Sequence, residues 1–442
     1  MGLGISAIGR GRKRLVLSRP SAAALLERIE AFSTSLPAEP WHCLERISRE
    51  DEKLLVHLHP AEEAVYMEPA AGGAIRCTAK TSSAGPGYHR YLVEFLEALG
   101  RSARIEWEWK DAEGEPGDET GYAEHRDFAR LQREMLAWLR ALAGQVSDEK
   151  FAADFDGCLA ISMPMGCSLA GESRFAMTPL GFRDREWFRQ ATETPPEFAM
   201  PYGEEHFPWW GEGEDASFYR NTALALLWCE CPWHRPADDR EKALLRQIDR
   251  CLARAHSLDP KGDLPWAEWK EVLDLLGDSK GAGRLAARIP AGAPPASIGY
   301  RRRLMRRRLT GPWTVALAGS FYEELQDEGR TVCYWLGNRT VRGSSLSMTP
   351  KKGAKPSPIA PDDEDRAENV EIVPFEKGDV TGFAGLQKAT EEGREPYWLL
   401  QGKVGTATEM AIVSVCFDDF RDRDWAISTF LSVEKDAKGS RG

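Results

Sequence analysis

Residues 21–35 place Leu25, Ile29 and Phe32 at spacings of four and three, which is one face of a helix. Short apolar runs follow at 41–47, 53–59, 64–67 and 74–78, punctuated by Pro60 and by Ala71-Gly72-Gly73. That rhythm predicts an antiparallel meander. A helix is expected over 88–99, with Tyr91, Leu92, Phe95 and Leu99 on one side, then a strand at 105–109. An acidic loop, 111–119, leads to a long helix at 126–143 with Leu131, Met135, Leu136, Leu139 and Leu142 as its stripe. Residues 1–148 therefore read as an N-terminal α+β domain.

The stretch 149–290 reads as a mainly helical middle region. A strand is expected at 159–165, a short helix at 185–192 and a proline-rich connector at 194–201. Helices are expected across 214–277. There Ala255, Leu258, Asp259 and Pro260 close one helix, and Trp266 and Trp269 open the next. This junction resembles a tetratricopeptide repeat boundary over about one and a half units of a ~34-residue repeat. The resemblance implies packed helix hairpins.

After a linker at 280–297, residues 291–442 read as a C-terminal α+β domain. Strands are expected at 314–321, 331–336, 340–348, 397–401 and 409–417, the second and third joined by a turn at Gly337-Asn338. A charged, proline-containing insertion occupies 351–368, and a helix at 419–433 closes the chain. The predicted fold class is α+β: two antiparallel-meander-plus-helix domains flanking a mainly helical middle.

Composition narrows the function classes. The 442 residues are 42% hydrophobic and 29% charged, which is globular rather than disordered. Net charge is −11, unfavourable for general nucleic-acid binding. Nine scattered cysteines suit a reducing compartment. No apolar run nears the ~18 residues that span a bilayer, and Leu15-Val16-Leu17 is too short for a secretory signal. Met1-Gly2 with Ser6 fits the loose myristoylation pattern, too short a motif to weigh against a cytoplasmic expectation. Abundant Ala, Gly and Arg suggest a bacterial gene.

Asp154-Phe155-Asp156-Gly157 resembles the first motif of haloacid-dehalogenase-type phosphatases, in which one Asp is the nucleophile and the next an acid or base. Asp418 and Asp419, after the strand at 409–417, resemble that family's metal-binding pair. The likeness implies a Mg²⁺-assisted hydrolase. Cys158 stands where the family usually has Thr, and no series of βα units follows. The alternative reading makes Asp154 and Asp156 a turn, and Asp418 and Asp419 a helix start.

Two sets could ligate metal: His57 and His59, two apart on a strand, and Cys229, Cys231 and His234 within six residues. Neither has the paired spacing of a zinc module, so polar-face and core packing roles compete. Gly85-Pro86-Gly87 starts a helix whose free N–H groups suit an anion, although turn chemistry already accounts for the residues. No P-loop or dinucleotide fingerprint is present, and no cofactor is expected.

Arg302, Arg303, Arg306 and Arg307 are expected to project together from a helix, its apolar stripe formed by Tyr300/Leu304 and Met305/Leu309. They could grip phosphate or an acidic partner, or pair with the chain's own acids. Trp209 and Trp210, among 15 tryptophans, fall in an expected loop and suit a contact surface or a seam. Without a nucleophile elbow, the leading expectation is a non-enzymatic protein-interaction subunit, adaptor or conflict-system component. A metal-assisted hydrolase and a nucleic-acid contact through the arginines are the alternatives. Oligomeric state is not legible.

Overall fold

Eight residues near the N-terminus, Gly4–Gly11, form strand β1. Its hydrophobic pattern does not announce a strand, because the inward positions are Ile5, Ala7, Gly9 and Gly11. Small residues are required there. A Cβ on Gly9 would stand 2.6 Å from the Trp107 ring, and one on Gly11 2.3 Å from Pro20. The computed structural model describes residues 2–12, 20–111, 113–148, 158–163, 169, 174–292, 296–347, 359–391, 393 and 395–435. The class is α+β. Two units are distinguished, Met1–Arg301 and Arg302–Gly442.

In the first unit, helix α1 (Ala22–Ser35) follows β1 and is capped by Ser21, whose hydroxyl accepts from the Ala24 N–H. Strands β2 (Ile47–Glu50), β3 (Lys53–Val56), β4 (Val65–Ala70) and β5 (Ala74–Lys80) come next. Then come α2 (Pro86–Ala103) and β6 (Ile105–Glu108). The sheet order is β2-β3-β4-β5-β1-β6, antiparallel throughout. The expected strand at 41–47 is largely turn. Trp41 there is buried among aromatic rings instead of lying on a sheet.

Helices α3 (Tyr122–His125) and α4 (Phe128–Ser147) complete the N-terminal part. Short strands β7 (Leu159–Ala160), β8 (Ala176–Thr178) and β9 (Gly181–Arg183) form a small sheet. The helical middle contains α5 (Arg185–Glu193), α6 (Met200–His206), α7 (Ala216–Cys229), α8 (Asp239–Leu258), α9 (Trp266–Leu276) and α10 (Ser279–Ala286). Helices α7 to α10 pack consecutively, α8 ending at Leu258 and α9 starting at Trp266. One apolar core runs from Ile5 through Trp41, Trp209 and Phe218 to Ala282.

The second unit begins with β10 (Leu304–Arg308) and β11 (Trp313–Ala318), which pair antiparallel. This corrects the expected arginine helix. The i,i+4 apolar spacing is equally compatible with period two. Met305 and Leu309 are buried, whereas Leu304 is 53% exposed. Gly311, at φ +67, makes the turn that allows the hairpin.

A seven-stranded antiparallel sheet follows. Its strands are β12 (Tyr322–Gln326), β13 (Thr331–Leu336), β14 (Arg339–Ser347), β15 (Glu371–Lys377), β16 (Val380–Ala389), β17 (Tyr397–Gly405) and β18 (Glu409–Phe417). Their order is β12-β13-β14-β18-β17-β16-β15. Helix α11 (Asp363–Glu368) precedes β15; α12 (Arg423–Leu431) packs on β17 and β18, and β19 (Glu434–Lys435) pairs with β11. Val341, Val413, Val415, Leu400, Val404 and Ala384 build the core with Phe430 of α12.

Candidate functional site

Phosphatase-like Asp154 and Asp156 lie outside the described residues. Asp419 caps the 3-10 turn Phe420–Asp422, accepting from the Arg421 N–H at 2.9 Å and Arg421 Nε at 2.8 Å. The Arg421 guanidinium holds its carboxyl below the ordinary range. Asp418 is exposed beside it, with an interaction of its own. The turn that Asp419 caps leads directly into α12.

The candidate metal ligands are hydrogen-bonded or buried within the first unit. His57 Nε2 lies 2.9 Å from Ser48 Oγ. His59 is buried; its Nδ1 accepts the Ala61 N–H, which leaves Nε2 to donate to Thr222 Oγ1 at 3.3 Å. Burial pushes His59 down to about 3, so the ring is neutral. Cys229 ends α7 and Cys231 is buried just beyond it, whereas His234 turns Nδ1 to the Arg235 carbonyl. Among the described residues no three His, Cys, Asp or Glu side chains are grouped to hold a metal.

The tryptophan surface is also corrected. Trp209 and Trp210 are 3% and 8% exposed. Trp209 lies among Trp41, Tyr91 and Phe218, with ring centroids 4.3–5.6 Å away. Its backbone locks the start of α2: Gly87 N–H donates to the Trp209 carbonyl, and Trp209 N–H to the Ala84 carbonyl. A Cβ on Gly87 would stand 2.0 Å from Trp209 Cδ1, and one on Gly85 2.6 Å from Phe207. The two glycines admit these rings. The helix start is packed against protein, as the turn reading implies.

The arginines do not share a face. On β10, Arg306 and Arg307 alternate: Arg306 pairs with Glu434 at 3.0 Å, and Arg307 donates to the Gly319 carbonyl at 2.8 Å. Arg302 and Arg303 precede the strand, half-buried and engaged. The expected joint projection required a helix.

One constellation escaped the sequence. Thr81 Oγ1 lies 2.9 Å from His89 Nδ1, and His89 Nε2 lies 3.1 Å from both Asp118 Oδ1 and Thr120 Oγ1. Burial favours a raised pKa for Asp118, but His89, the Ala123 N–H and the Thr120 hydroxyl outweigh it. The carboxyl is held well below its usual range. The connectivity is that of a catalytic triad. However, all these side chains are buried, and the Thr81 hydroxyl donates to the Leu3 carbonyl at 3.3 Å. A groove of about 440 Å³ beside it is lined by Leu3, Lys80 and Glu119 rather than by the triad itself. The arrangement ties the 81–85 loop, α2 and the 118–123 turn together. Glu62 supports it by accepting the Ser83 and Ala84 N–H groups, each at 2.9 Å. The only linear clue was the pairing of Thr81 with His89 across the Gly-Pro-Gly turn.

In the second unit, the seven-stranded sheet is two-sided. Register puts Arg342, Ser414 and Gln401 in one cross-strand row, and Ser344, Ile412 and Lys403 in the next. These residues lie opposite in pleat to the core valines, and none is buried. Trp335, 38% exposed and stacked on Tyr322 with centroids 4.3 Å apart, and Leu346, 50% exposed, share that side. Towards β15 the face dips into a recess of about 320 Å³ next to α11, lined by Asn369, Gly385, Gln387, Gln401 and Lys403. A Cβ on Gly385 would stand 2.3 Å from the Asn369 amide, so glycine makes this approach possible. Among the described residues, no helix long and apolar enough to cross a membrane is present.

No family model matches the chain, and no curated protein matches it. A crystal structure of a protein from Bacteroides thetaiotaomicron aligns with 30% of this chain and 47% of its own, at 14% identity and a TM-score of 0.23. The chain thus covers less than half of that neighbour, and a superposition so loose carries no argument.

Proposed function

We propose that this protein works by binding another protein, and that the outward face of the seven-stranded sheet is the contact surface. One observation carries the reading. This face exposes Arg342, Gln401, Trp335 and Leu346 on a rigid sheet whose opposite side is anchored by α12 and the unit's core. Tryptophan and arginine are the residue types on which binding energy concentrates. The four central strands β14, β18, β17 and β16, nine or ten residues each at ~3.4 Å per residue and ~4.8 Å apart, present roughly 600 Å². That approaches the ~800 Å² each partner contributes to a standard interface.

The test is affinity purification from the native host with the wild-type chain and an Arg342→Glu/Leu346→Lys variant. Both substituted side chains are exposed, so circular dichroism should be unchanged. A stoichiometric partner held by the wild type and weakened at least about tenfold by the variant supports the reading. A partner held equally by both, or no partner at all, refutes it.

A further inference from the structure

We infer that the outer edge of β12 accepts an extended, cationic segment of the partner protein, added to the sheet as an eighth strand. The inference rests on the protein-binding reading and deepens it. Four observations converge.

The first is the edge itself. Among the described residues, strand β12 ends the sheet order and has β13 as its strand partner, through five residue pairs from Tyr322↔Trp335 to Gln326↔Thr331. The outward N–H and C=O groups of residues 323–326 form a template for another strand. The second is contrast with the other edge. Strand β15 carries Pro374, which has no N–H to give, as well as Glu376 and Lys377, and α11 leads into it. Strand β12 has no proline, lysine or glycine.

The third is apolar surface on both sides of the edge. Leu325 lies opposite Val332 on the core side yet is 66% exposed, so the core stops short of covering it. On the other side, Trp335 stacks on Tyr322. An added strand would cover both with alternate side chains. The fourth is charge. Glu323, Glu324, Asp327 and Glu328 are all exposed. Asp327 and Glu328 hold φ values of +51 and +58 at the hairpin tip, a backbone conformation that side-chain-bearing residues adopt at a cost. Two copies of this edge set antiparallel would bring glutamates together, which opposes self-pairing. A strand bearing Lys or Arg meets the opposite charge instead.

The experiment uses the full chain and three capped nine-residue peptides. One alternates lysine with valine, one replaces lysine by glutamate, and one keeps the lysines but carries proline at alternate positions. Hydrogen exchange is read across 322–326. The inference expects the lysine–valine peptide to slow exchange there several-fold, and the other two to leave it unchanged. Glu323→Lys/Glu324→Lys should abolish the protection.

Protection by the proline peptide would indicate charge attraction without strand pairing and would overturn the inference. Equal protection by the glutamate peptide, none by any peptide, or full protection of the double variant would do the same. A host partner lost with Arg342→Glu/Leu346→Lys yet retained by Glu323→Lys/Glu324→Lys would overturn this edge while leaving the protein-binding reading intact.

Discussion

At the scale of single residues, this protein spends its unusual chemistry on holding loops. Asp118 shows why. With its carboxylate buried, His89 on one side and the 120–123 turn on the other, its value depends on the whole set being present. Removing one partner from a buried hydrogen-bonded carboxylate network leaves its donors unsatisfied, which typically costs ~1–3 kcal/mol and more where a charged group is involved. Asp118→Asn should therefore lower unfolding stability by about 3 kcal/mol in urea titration. A loss below about 1 kcal/mol would mean that water replaces the carboxylate. Gly87 is a second such point. Gly87→Ala drives a methyl group into Trp209 and should cost ~1–3 kcal/mol, whereas Gly213→Ala, with open space around it, should stay within ~0.5 kcal/mol. Equal losses at both sites would show that the Trp209 loop can yield.

Among the elements, β10 illustrates how a local pattern is decided by its neighbours. Leu304, Met305 and Leu309 admit a helix or a strand from sequence. Pairing with β11 buries Met305 to 1% and leaves Leu304 half in solvent. The two substitutions then separate. Met305→Ala should destabilise by ~2–5 kcal/mol and Leu304→Ala by less than about 1 kcal/mol. A helix whose stripe held both residues would lose similar amounts at each. Strands β1, β15 and β16 make the same point from the other side. Their inward or edge positions carry Gly9, Gly11, Gly382 and Pro374, which erase alternation. A Cβ on Gly382 would lie 2.1 Å from the Lys403 carbonyl, so the sheet demands the very residue that hides the strand.

Across the whole molecule, acid should act on the two units unequally. All eight histidines, His42 to His256, belong to the first unit. Burial, aided by Arg46 and by Arg183 respectively, lowers His42 to about 4 and His206 to about 3; His59 is likewise near 3. In the unfolded chain these rings take protons near 6.5. Their depressed folded values mean that the unfolded state binds more protons between those limits. Stability is therefore full above about 6.5 and declines as pH falls towards 4 and 3. Between pH 7 and 5, hydrogen exchange corrected for its intrinsic rate should accelerate in Met1–Arg301 and stay level in Arg302–Gly442. Equal acceleration in both would assign the acid response to carboxylates instead.

The chain's own periodicity was enough to read the α+β class, the helices whose apolar stripes recur every three or four residues, and strands such as 331–336 and 409–417. Those signals are local, because burying one face of an element requires its own periodicity. The local sequence also implies that Gly85-Pro86-Gly87 turns into a helix, since proline and glycine restrict or free their own backbone. Long-range packing alone settled that Trp209 and Trp210 fill a core, that the arginines alternate along a strand, and that His89 sits between Thr81 and Asp118. Each of those outcomes depends on residues distant in the chain, whose approach no spacing records. The open sheet face and the β12 edge belong to the same class. Exposure is a property of what fails to cover a surface, and that is settled only when every other element has found its place.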